Sequence, residues 1–327
     1  MPRVQTRFTE RFGVEVPVVG APMAGATGGA LAGAVSAAGG LGMIGIGPGA
    51  DPGWVREQVA LAAASGMPYG GGLLAWSVPG QPGVLDTLLE GADGRAPAMV
   101  SVSFGDYAPY VPVIKDAGVA VATQVGTVAD ALAAEQAGVD VLVARGGEGG
   151  GHGRNLVATL PLLQAVLSRV EMPVLAAGGV GTARGLAAVL AAGAAGAWVG
   201  TAFLTCRESL TADVVAARLA EVDETGTEYG TVFDIASGLG WPPEFGGRAV
   251  RNAFFETWQG RETELSGNRG AMEQFQAARG ELDLSRMSLY AGQGVGLLDE
   301  RRRPAAEVVA ELAGAAELLR QAADLVR

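Results

Sequence analysis

The chain has 327 residues, 49% apolar and 17% charged, which supports a sizeable buried core and excludes a disordered chain. A net charge of −11 argues against nucleic acid or an anionic membrane as the main partner. The single cysteine, Cys206, and the single histidine, His152, exclude an intrachain disulfide, multi-cysteine metal centres and sites with two or three histidines.

The first ten residues are polar and charged, and no apolar stretch follows a basic start. No secretory signal is therefore expected, and the expected compartment is the cytoplasm. Residues 16–50 carry no charge and are long enough to span a bilayer, but they hold eleven glycines and three prolines. Such a stretch reads as a buried strand–helix–strand unit instead of a membrane span.

Further along, short apolar runs alternate with alanine-rich stretches. Strands are expected at 17–21, 41–46, 69–74, 98–103, 119–124, 139–144, 173–177 and 197–200, with helices at 27–38, 52–65, 83–90, 108–117, 128–137, 160–170 and 183–192. The strands are too apolar to alternate, as befits parallel strands covered on both faces. Several helices close on glycine just before the next strand, as in AAGG before Leu41 and DAG before Val119. Eight β–α repeats predict an α/β fold of the (β/α)8, or TIM, barrel type, with a doubly wound open sheet as runner-up. The first turn, GAPMAGATGG, lacks a dinucleotide-binding fingerprint.

Beyond Cys206 the repeat stops. The division expected is a barrel over 1–207, a mainly helical cap over 208–288, and a C-terminal segment over 289–327 that returns to the barrel. Residues 304–327 read as one amphipathic helix, with Val308, Leu312, Ala315 and Leu319 on one face.

Four features carry chemistry. The run RGGEGGGHGR, Arg145 to Arg154, follows the sixth strand and so opens at the C-terminal mouth, where barrels place active sites. Its glycines let backbone approach something flat or anionic, and His152 brings the only imidazole; a solvated loop is the plainer alternative. Strands seven and eight end in glycine turns whose amides, on Gly178, Gly179, Gly200 and Thr201, suit a phosphate. Pro22 and Met23 stiffen and line the first turn, and Gln124 offers an amide at the end of strand five. A flavin mononucleotide fits this inventory, as would another phosphorylated ligand.

The set GAPMAG, TQVGTVADALAAEQAGVDVLVARGGEGGGHGR, PVLAAGGVGTARG, GAWVGTAFL and SLYAGQGVGLL, in that order from about residue 8 to 298, resembles the nitronate monooxygenase family, formerly called 2-nitropropane dioxygenase. The resemblance implies an FMN-dependent TIM barrel with a helical second domain, oxidising alkyl nitronates or nitroalkanes with O2 to carbonyl compounds and nitrite. It implies that Ala21, Pro22 and Met23 lie along the flavin ring, that Gln124 contacts its ring or ribityl chain, and that Gly150 and Gly151 pass close to it. His152 would be catalytic, Ala177, Gly178, Gly179, Gly200 and Thr201 would hold the phosphate, and Gln293 would return to the mouth. Oligomeric state stays open, a homodimer being one option.

Two departures from the family pattern stand out. Gly72 replaces an asparagine and so removes a side chain from the cofactor. Arg145 replaces a glutamine, which would set a cation beside the pyrimidine edge of the flavin. Glu148 is expected to position the loop. Tyr229, Phe233, Trp241, Phe245 and Trp258 are candidate pocket walls. The same scaffold also carries flavin reductases that take hydride from NAD(P)H and reduce quinones or enoyl thioesters. A non-catalytic flavin- or phosphate-binding barrel is a third reading. A flavin-free barrel with a nucleophilic cysteine is disfavoured, because Cys206 lies past strand eight, where a buried structural thiol is expected.

Overall fold

The computed structural model describes residues 3–299 and 301–325. Eleven strands are found among them: β1 (Val18–Gly20), β2 (Leu41–Gly45), β3 (Tyr69–Leu74), β4 (Met99–Ser103), β5 (Ala120–Val125), β6 (Val141–Arg145), β7 (Gly151–His152), β8 (Val174–Ala177), β9 (Gly196–Val199), β10 (Thr227–Gly230) and β11 (Gly247–Val250). The eight expected strands are β1–β6, β8 and β9. All pair in parallel, and β9 returns to β1 with Val19 beside Trp198, so the sheet closes into the expected (β/α)8 barrel. No helix among the described residues is long and apolar enough to cross a membrane.

Side-chain alternation sorts the core into two shells. Val19, Met43, Met99, Val141, Val143, Leu175 and Trp198 fill the barrel interior. Residues between them, such as Val100, Leu142 and Ala144, pack outward against the helices. Because Val141 and Val143 point inward, Arg145 at the end of β6 points into the mouth.

A short helix, Arg7–Phe12, was not expected. Thr6 and Thr9 form a reciprocal capping box, and Gly13 ends the helix in the left-handed conformation. Phe8 and Phe12, one turn apart with ring centroids at 4.8 Å, join the interior cluster and plug the N-terminal end of the barrel.

The 208–288 segment is mainly helical, as expected, and adds two short strands: β10 and β11 pair antiparallel, and β11 pairs antiparallel with β7 inside the glycine loop. One expectation is corrected in the C-terminal third. The stretch expected as one helix from residue 304 forms two, Ala305–Ala313 and Ala315–Ala323, among the described residues. They meet at Gly314, where a side-chain Cβ would stand 3.0 Å from the Glu311 carbonyl oxygen and 3.5 Å from Ala183. The bend lets the first helix pack on Gly29–Ala37 and the second on Ala183–Ala191. Val326 and Arg327, the end of the expected helix, lie outside the described residues.

Candidate functional site

The C-terminal mouth gathers the residues singled out in the sequence. The turn after β1 dips inward: the Thr27 hydroxyl accepts from the Met23 amide at 2.7 Å and donates to the Ala21 carbonyl at 3.1 Å. A Cβ at Gly200 would stand 3.3 Å from Met23 Sδ, so the turns after β1 and β9 lie side by side. A Cβ at Gly72 would collide with the Pro22 ring. In this chain the Pro22 ring occupies the space that a side chain at position 72 would need.

Across the mouth, Gly178 and Gly179 adopt positive φ of 110° and 70° and form the turn after β8. Among the described residues, the amides of Gly178, Gly179, Gly200 and Thr201 donate to no protein acceptor. The strand after which Gly200 falls leads into a single helical turn, Thr201–Leu204. The Thr201 hydroxyl accepts from the Gly292 amide at 3.0 Å and Gln293 donates its amide to the Glu148 carbonyl, so the C-terminal segment does return to the mouth. Gln124 points inward from β5; its backbone amide is taken by Ser103 Oγ at 3.0 Å, and its side-chain amide has no protein partner among the described residues.

The glycine loop is held from two sides. Arg145 Nη2 donates to the carbonyls of Gly149, Gly150 and Gly151 at 2.6, 3.3 and 2.8 Å. Arg248, on β11, donates through Nε to the Gly147 carbonyl at 2.9 Å, and Tyr229 donates its hydroxyl to the Gly153 carbonyl at 2.8 Å. Glu148 accepts the Thr159 amide through both carboxylate oxygens, which caps the helix Thr159–Leu167 and confirms it as a positioning residue. The glycines therefore make room mostly for protein. A Cβ at Gly153 would collide with Arg145 Nη1 and one at Gly150 with the Gly292 amide, whereas nothing stands within 4 Å of that position at Gly151. Arg145 thus lies beneath the loop and holds it through Nη2. Burial pulls its guanidinium down to about 10, so it remains a cation at neutral pH, and its Nε and Nη1 are buried without a partner.

His152 emerges from this clamp, and a residue that sequence reading missed meets it. Nε2 lies 2.7 Å from Asp234 Oδ1, with both side chains largely buried. Tyr290 donates its hydroxyl to the same oxygen at 3.2 Å, and burial, reinforced by Asp234, pushes that phenol well above its ordinary value. The carboxylate fixes the Nε2–H tautomer and leaves Nδ1 with a lone pair, the arrangement of an oriented general base. The only sequence signal for Asp234 is a carboxylate on the apolar helix Val232–Ser237. Trp241 stacks on the imidazole at 3.4 Å and 2°, and Trp76, Phe104 and Phe245 complete an aromatic box. Of the five wall candidates, Trp241 and Phe245 line this box and Tyr229 supports the loop. Phe233 and Trp258 are instead core residues, packed with Phe254, Phe255 and Phe275. Cys206 is buried, and burial with nearby Glu208 pushes its thiol up to about 12.

A closed (β/α)8 barrel with an anion-binding pair of turns and an oriented histidine at its C-terminal mouth defines a barrel-mouth ligand site of enzymatic type. The nitronate monooxygenase family model matches residues 83–314, and the chain belongs to that family. It is 30% identical to a nitronate monooxygenase of Neurospora crassa over 90% of this chain and 87% of that one. It is 33% identical, over 71% of this chain, to a hydroxy-methyl-oxo-octahydroindene-carboxyl-CoA dehydrogenase of Mycobacterium tuberculosis, and that match spans only 64% of the relative. Among solved structures, FabK from Thermotoga maritima superposes with a TM-score of 0.84 at 28% identity, covering 99% of this chain and all of that one. A nitroalkane oxidase from Streptomyces ansochromogenes superposes at 0.79 and 27%, covering 96% and 99%.

Proposed function

We propose that the chain is a flavin-dependent oxidoreductase that oxidises nitronates with O2 to carbonyl compounds and nitrite. The observation that carries this reading is the His152–Asp234 pair at 2.7 Å beside a cradle of unpartnered amides. The residues present fit flavin mononucleotide. The amides of Gly178, Gly179, Gly200 and Thr201 would hold its phosphate, and Ala21, Pro22, Met23 and Ala177 would form a low floor under the ring. Gln124 would supply a free amide to it, and Gly150 and Gly151 would bound its edge. When bound, the flavin supplies the electron-accepting group.

The chain's own residues do the rest. His152 Nδ1 removes the α-proton from a neutral nitroalkane, Asp234 stabilises the imidazolium that results, and the Nδ1–H so formed donates to the nitronate oxygens. Arg145 holds the loop that presents His152 and adds positive potential under an anionic substrate. Oxygen uptake with nitrite release from an alkyl nitronate, with no nicotinamide present, is the test.

A second reading has its own support in the dehydrogenase relative and the FabK superposition: hydride transfer from NAD(P)H to a quinone or enoyl thioester. Flavin bleaching only after anaerobic addition of NADH or NADPH, with no nitronate-dependent oxygen uptake, would move the chain to that branch.

A further inference from the structure

The box over His152 has features that loop support does not explain. Trp241 lies on a loop between the helix ending at Ser237 and β11, preceded by Gly238 and Gly240 at φ of 66° and 75° and followed by Pro242 and Pro243. Its indole is parallel to the imidazole within 2° at 3.4 Å, the geometry of one flat π system laid on another. Phe104, which follows β4 directly, holds φ of 66°, a strained conformation for a bulky residue. That backbone places its ring edge-on to His152, Trp241 and Phe245, at 6.5, 5.6 and 5.6 Å between centroids. Trp76, tilted against Trp241 at 5.2 Å, has its Nε1–H buried with no hydrogen-bond partner. A buried orphan donor among aromatic rings awaits an acceptor. At the rim, the Arg154 guanidinium lies 4.9 Å over Phe245 and is already paired with Asp130.

We propose that Trp241 is the specificity-determining residue of the site, and that the substrate class is nitronates bearing an aryl group. This rests on the nitronate reading above. The indole fills the flat space over His152 and touches Trp76 and Phe104. A planar anion with an attached ring enters only as the loop that follows Gly238 and Gly240 lifts the indole off the imidazole, and the ring then lies between the indole and the walls formed by Trp76, Phe104 and Phe245. An oxygen of the nitronate accepts from Trp76 Nε1, or from His152 once Nδ1 carries a proton. A small alkyl nitronate satisfies the oxygen contacts but leaves the walls unfilled.

Two measurements on the purified, flavin-loaded protein test this. The first compares kcat/KM, by oxygen uptake, for the nitronates of phenylnitromethane and nitroethane. The expected preference for the aryl compound is about tenfold or more, falling toward unity in Trp241→Leu and largely restored in Trp241→Phe, with the change carried by KM. The second titrates benzoate and acetate, planar carboxylates that need no turnover, by flavin absorbance. Benzoate is expected to bind about tenfold more tightly than acetate, and that ratio is expected to collapse in Trp241→Leu. Turnover of both nitronates with no aryl preference, or a preference unchanged in Trp241→Leu, overturns the proposal while the nitronate reading stands. No turnover of either, with the benzoate preference intact and dependent on Trp241, retires the nitronate reading and keeps the aryl slot. If the Leu variant fails to fold, the Phe variant and the wild-type ratios decide alone.

Discussion

The two ends of the barrel are built on opposite principles. The N-terminal end is sealed by Phe8 and Phe12 on a capped helix, packed into an apolar interior that holds no polar ligand group. The C-terminal end is floored by small residues, and its polar groups lie in three settings. Some are spent on the loop, as in Arg145 and Arg248; some are paired, as in His152 and Asp234; some are left free, as in the amides after β8 and β9. Stability and chemistry are thereby separated along one axis, so damage at either end has a distinct signature.

The sharpest break in this comparison is His152→Ala. It should leave the fold and flavin content intact and lower nitronate turnover by about 10²- to 10⁴-fold, the range for a positioned acid–base group, measured as nitrite release. At the other end, Phe8→Ala removes a fully buried ring from the plug. It should destabilise the protein by about 3–5 kcal/mol in denaturant titration and leave turnover per folded molecule unchanged. Asp234→Asn keeps the shape of its side chain but no longer fixes the imidazole tautomer. A loss on the order of 10²-fold in kcat is expected, with a shifted acid limb of the pH profile, whereas a purely structural residue would leave that limb in place.

The smallest effect concerns Cys206. Its folded pKa is raised, so the folded state holds the thiol proton more tightly than the unfolded chain does. Its contribution to stability is fully present below the unfolded thiol value and is lost as pH rises toward about 12. The native thiol should resist a disulfide reagent at pH 8 and react at once on unfolding.

The barrel wall was legible because each strand is an apolar run and the glycines after the helices mark where the next strand begins. The plug was not. Its helix has six residues, too short for periodicity to show, and Phe8 and Phe12 stand among charged neighbours. At the mouth, glycine density and the lone histidine pointed to the loop. What holds the loop could not be read, because Arg248 lies 101 residues from the glycine it holds and Asp234 lies 82 residues from its partner. The strands β10 and β11 are four residues each, and their pairing with the loop is a tertiary choice. The support that Arg145 gives was hidden for the same reason: only once the loop folds back over it does Nη2 meet the carbonyls of Gly149 and Gly151.

The most direct test is nitronate-dependent oxygen uptake without nicotinamide, measured side by side for the wild type, His152→Ala and Phe8→Ala at a temperature where all three are folded. The account predicts wild-type turnover in Phe8→Ala and near-complete loss in a His152→Ala protein that is still folded. Retained turnover in His152→Ala, or loss in a folded Phe8→Ala, would contradict the division of the barrel into a structural end and a chemical one.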